Sequence, residues 1–84
     1  MAIQLNSSTT PAMPRAVLYR SCLLGYLPAE VLDTPEFERL VRELWREGWT
    51  DVQIASHTRT TTYTTGRIRE RLGLAAHRDL EATA

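Results

Sequence analysis

The sequence predicts an all-α fold, a small helical bundle containing a helix-turn-helix, with a disordered N-terminal tail ahead of it. Three observations predict it. Phe37, Leu40, Val41, Leu44 and Trp45 recur at i, i+3, i+4, i+7 and i+8, which draws one apolar stripe along a helix. Thr50 followed three residues later by Gln53 is the pattern of a capping box, so a second helix begins at about Asp51. Thr58-Arg59-Thr60 then interrupts the apolar pattern, and a third helix is expected over residues 61–72 with Gly73 as its C′ residue.

Composition narrows what can hold such a bundle together. An 84-residue chain makes one small domain, which buries only roughly 60 to 65% of its unfolded surface. Cys22 stands alone and the two histidines show no zinc-ligand spacing, so neither a disulfide nor a metal staple is expected. Helix packing must do the work, with a second subunit as a further source of burial. No apolar run approaches the roughly 20 residues of a bilayer span, and no signal peptide opens the chain. The expectation is a cytoplasmic protein with no membrane contact.

The net charge is zero but unevenly laid out. Residues 28–51 hold seven acids against Arg39, Arg42 and Arg46, whereas residues 52–78 hold Arg59, Arg67, Arg69, Arg71 and Arg78 against Glu70 alone. All ten basic residues are arginine, whose planar fork suits phosphate and guanine, although a biased genome produces the same usage.

Taken in order, residues 1–14 have scattered apolar positions, a Ser/Thr cluster and two prolines, and are read as a flexible tail; ordering against a partner and acting as a DNA-contacting arm are the other readings. Residues 15–84 form the single domain. In residues 15–27 the apolar positions Val17, Leu18, Leu23, Leu24 and Leu27 suit a short helix, while Val17-Leu18-Tyr19 also suits a strand; helix is expected, ended by Gly25 and Pro28, with residues 28–32 forming one further turn. Thr34 is the expected N-cap of the next helix, with Pro35 behind it and Glu36 and Glu38 complementing its dipole. That helix ends near Gly48. Trp49 is placed to staple onto Ile54, and a short last helix is expected over residues 75–81.

Within the helix-turn-helix, residues 50–73, the inward positions are Ile54, Ala55, Thr58, Thr60, Thr65 and Ile68. Ala55 is small, as a close helix crossing requires. Threonine at three inward positions implies either a looser turn or hydroxyls bonded to nearby backbone carbonyls. Thr60 is the expected cap of the second helix, although residues 60–65 also have the β propensity of an edge strand. Thr61, Thr62, Tyr63, Gly66 and Arg67 are the candidates for base contacts, with Gly66 on the groove side permitting close backbone approach or merely tolerated there. Thr50, His57, Arg59, Thr60, Arg69, Arg71 and Arg78 are the candidates for phosphate contacts.

Gly48, Thr50, Asp51, Ile54 and Ala55, followed by Arg67-Ile68-Arg69-Glu70-Arg71-Leu72-Gly73-Leu74, resemble the C-terminal DNA-binding domains of LuxR-type regulators and the fourth region of sigma factors. The resemblance covers roughly residues 36–79. It implies a bacterial four-helix domain whose third helix enters the major groove, often as a dimer on a two-part site. The chain has about one turn less between its Ile-Ala and Leu-Gly pairs, and threonine where that family has aliphatic residues.

An enzyme is not expected, because Cys22, His57 and His77 are isolated from one another and no carboxylate pair or phosphate loop accompanies them. No cofactor is called for. The expected function is sequence-specific binding of double-stranded DNA by a nucleoid-associated transcription regulator, dimerising through Tyr19, Leu23, Leu24, Tyr26 and Leu27. The alternative is a protein-interaction module that binds RNA polymerase, a sigma factor or a larger regulator through the acidic helix of residues 35–47.

Overall fold

In the computed structural model, residues 13–77 are described, so most of the expected tail, Arg78 and the end of the expected last helix lie outside them. Four helices follow in order: α1 (Arg15–Leu23), α2 (Thr34–Arg46), α3 (Asp51–Thr58) and α4 (Thr62–Arg71), with one 3-10 turn at Ala29–Val31 between the first two. No strand occurs among the described residues, so both residues 15–23 and the threonine-rich run resolve as helix.

The stripe on α2 organises the packing, for α1, α3 and α4 all touch that helix. Leu40, Val41 and Leu44 are buried and meet Ile54 of α3 and Ile68 of α4. From the other side come Tyr19 and Cys22 of α1 with Ala29 and Leu32 of the turn, while Phe37, Trp45, Trp49 and Leu72 close the margin. Tyr19 Oη donates to Glu43 Oε1 at 2.6 Å, and burial followed by that bond pushes the phenol well above its ordinary range. The N-cap of α2 is Asp33 rather than Thr34: its Oδ1 accepts from the Glu36 amide at 3.0 Å. A carboxylate gains more than a hydroxyl at the positive end of a helix, and Asp33 also binds Arg15 at 2.7 Å.

All four helices end in the same way. The amide two residues beyond the last helical turn reaches back to the sixth carbonyl: Tyr26 to Ser21, Trp49 to Leu44, Thr60 to Ala55, and Leu74 to Arg69. This motif places one residue in the left-handed region. Gly25, Gly48 and Gly73 fill it in α1, α2 and α4, but Arg59 fills it in α3, at φ 60°.

Beyond α4 the chain is not helical up to His77, so the helix expected over residues 75–81 is absent as far as the structure describes it. Residues 74–77 instead form a strap over Trp45, whose Nε1 donates to the Ala75 carbonyl at 2.6 Å. His77 returns a bond from Nε2 to the Trp45 carbonyl at 2.8 Å and stacks on the indole, with ring centroids 4.7 Å apart. Those side-chain bonds take the place of a helical turn.

His57 joins α3 to the end of α1. Its Nε2 donates to the Leu23 carbonyl at 2.8 Å, and its ring lies edge-on to Trp49. A Cβ on Gly25 would come within 2.8 Å of His57 Cε1, whereas a Cβ on Gly48 would meet nothing within 4 Å. Gly48→Ala should therefore cost only the backbone strain of roughly 1 kcal/mol, and Gly25→Ala distinctly more. In a double-mutant cycle read by denaturant unfolding, Gly25→Ala with His57→Ala should lose less than the two single variants added together.

Candidate nucleic-acid interface

The α3–α4 unit is built on a short connection, residues 59–61, closed by side-chain hydroxyls. At the start of α3 the capping box is complete: Thr50 Oγ1 accepts from the Gln53 amide at 3.2 Å, and Gln53 Oε1 accepts from the Thr50 amide at 2.9 Å. At its end Thr58 is fully buried and donates to the Ile54 carbonyl at 2.7 Å. A hydroxyl has one proton, so Thr58 accepts from Thr60 at 2.9 Å and Thr60 in turn accepts from the buried Thr65 at 3.3 Å. The inward threonines thus form a relay ending on a helix carbonyl, and the turn is tight. Thr61, not Thr60, caps α4, its Oγ1 accepting from the Thr64 amide at 3.0 Å. Thr60 cannot do both.

Several residues expected to contact DNA are spent on this architecture. Arg69 Nε lies 2.9 and 3.2 Å from the two carboxylate oxygens of Asp51, and another of its nitrogens donates to the Leu74 carbonyl at 2.8 Å. With 12% of its side chain exposed, Arg69 holds α4 to the start of α3. Gly66 turns its open side towards that pair, where a Cβ would meet Asp51 Oδ2 at 3.5 Å, and not towards a groove. His57 serves the α1 junction, and the hydroxyls of Thr50, Thr60 and Thr61 serve caps and relay. Arg71 binds Glu38 of α2 at 2.9 Å but keeps 60% of its side chain exposed. Arg78 lies outside the described residues.

What remains open is the first half of α4 and the turn before it. Thr62, Tyr63 and Arg67 are exposed, with Tyr63 and Arg67 one above the other on the helix and Thr62 round to the side of Tyr63. Arg67 donates to Tyr63 Oη at 2.9 Å and its guanidinium sits 5.8 Å from the centre of that ring, so the pair is held as a unit. Arg59, in the turn ahead of α4, is exposed and donates to the Gly25 carbonyl at 3.3 Å. Two donor forks, an aromatic edge and a threonine at a helix N-terminus can grip phosphate and read base edges. No metal-binding group of histidine, cysteine and acids occurs among the described residues.

Sequence reasoning missed Asp51–Arg69 and Glu38–Arg71, because pairs 18 and 33 positions apart leave no local spacing signal. Comparison of the chain with family models, with curated proteins and with solved structures gives no match in any of the three, so the site is read from its own geometry.

Two variants test which residues are structural. Arg69→Gln, which leaves Asp51 without its partner, should lower unfolding stability by about 1 to 3 kcal/mol. Thr58→Val keeps the shape and loses the relay, for about 0.5 to 1.5 kcal/mol.

Proposed function

We propose that the protein binds double-stranded DNA in a sequence-specific manner as a small transcriptional regulator, entering the major groove with the first half of α4. The observation that carries this reading is Arg59. Every other described helix fills its left-handed position with glycine, whereas α3 keeps an arginine there at a backbone cost of roughly 1 kcal/mol, in the turn that leads into the exposed Thr62 and Tyr63 of α4. A strained arginine beside a helix N-terminus is accounted for if its side chain meets phosphate. The resemblance to LuxR-type and sigma-factor domains supports the same docking, with the turn against the backbone and α4 in the groove.

Arg67 is then the base reader, positioned by Tyr63, while Arg59 and Arg71 meet phosphates. A two-part site read by a dimer fits so small a domain. Of the apolar residues expected to pair subunits, Tyr19, Leu23 and Leu27 are taken into or against the core, which leaves Leu24 and Tyr26 exposed, together with Val17. Cytoplasmic, nucleoid-associated placement follows from the DNA reading; no described helix is long and apolar enough to cross a membrane. The acidic helix as a protein-binding surface is less favoured, because Glu36, Glu38 and Glu43 are bound to Arg15, Arg71 and Tyr19.

Titration of a random duplex pool at several salt concentrations tests the reading, and absent or salt-insensitive binding would sink it. Arg67→Ala should abolish sequence preference, whereas Arg71→Ala should weaken all duplexes alike and shallow the salt slope by about one unit. Arg59→Gly should raise thermal stability and lower duplex affinity, two changes of opposite sign that a purely structural residue cannot give.

A further inference from the structure

The segment that is acidic by count presents a basic face. Three acids of α2 are drawn into bonds within the fold, Glu36 to Arg15, Glu38 to Arg71 and Glu43 to Tyr19. Arg39, Arg42 and Arg46 of the same helix form no ion pair among the described residues. At i, i+3 and i+7 they share the side of α2 opposite Leu40 and Leu44 and span about 10 Å of helix. Arg39 is held in place, its guanidinium 4.5 Å from the centre of the Tyr19 ring. Beside this face a groove runs between α1 and α2, where Ala16 and part of Leu23 lie open, Tyr19 is buried beneath Arg39, and Arg15, Arg20, Arg39, Glu36 and Glu43 form the rim. The groove and the arginine face share Arg39 and Glu43.

We propose that this surface docks an acidic amphipathic helix of a partner protein. Carboxylates repeating at helical spacing would pair with Arg39, Arg42, Arg46 and Arg20, while the apolar side of the same helix would lie along Ala16 and the open part of Leu23. A duplex fits less well, since its unbroken row of phosphates would meet Glu43 and Glu47 between the arginines, whereas a helix can set its carboxylates at spaced positions that avoid them. None of these residues belongs to the Thr62, Tyr63 and Arg67 surface, so the proposal does not depend on DNA binding.

The test titrates the isotope-labelled full chain with a synthetic peptide of about 18 residues, long enough to form a helix and carrying glutamate on one side and leucine on the other. Amide shifts should concentrate in residues 16–23 and 39–46. Affinity should fall at least roughly tenfold for the combined Arg39→Gln, Arg42→Gln, Arg46→Gln variant, and be unchanged by Arg67→Ala. Should that variant not fold, the same peptide with lysine for glutamate decides on the unaltered protein, which should not bind it. Equal binding of the lysine peptide, shifts confined to α4, full affinity in the folded triple variant, or displacement of the peptide by a mixed-sequence duplex would each overturn the proposal.

Discussion

Everything in this molecule rests on the apolar side of α2. Leu40, Val41 and Leu44 are the surface on which α1, α3 and α4 each find their place, and a domain of this size has no second core to fall back on. The sole cysteine, Cys22, is buried, with its thiol against the Pro28 carbonyl at 3.6 Å, and burial raises its pKa. It acts as a small core residue. A helix so thoroughly used on one side has only its opposite side left for other work.

The split of charge along the chain is undone in space. Acids of the first half and arginines of the second meet at Asp51–Arg69 and Glu38–Arg71, and Arg15 closes on Asp33 and Glu36 at the N-terminus of α2. The exposed pairs add little to stability, but the shielded Asp51–Arg69 pair fixes how α4 leaves α3. Pairing also selects which arginines stay available. Arg59 and Arg67 remain near the turn, and Arg39, Arg42 and Arg46 remain on α2, so two separate basic surfaces emerge from a chain of zero net charge.

The α3–α4 turn departs from an aliphatic helix-turn-helix in a consistent way. Buried hydroxyls of Thr58 and Thr65 would be costly alone, yet joined through Thr60 and ended on the Ile54 carbonyl they are satisfied. A hydrogen-bonded relay is more directional than aliphatic contact. It therefore holds the start of α4, and with it Thr62 and Tyr63, in a defined position over α3.

Local chemistry in the sequence determined the helices themselves: the stripe on α2, the capping box at Thr50 and Gln53, the inward Ile54, Ala55 and Ile68, and Gly73 past the end of α4. These are signals carried within three or four residues, where backbone geometry alone brings side chains together. Cap identity was off by one residue at Asp33 and Thr61, because neighbouring residues of similar chemistry compete for one amide and only packing chooses between them. The roles of Arg69, His57 and Gly66, the strap over Trp45 in place of a last helix, and the basic character of α2 were decided by tertiary structure. Each depends on a partner 15 or more positions away or on which charges are neutralised, and long-range pairing of that kind leaves no period in the sequence to read.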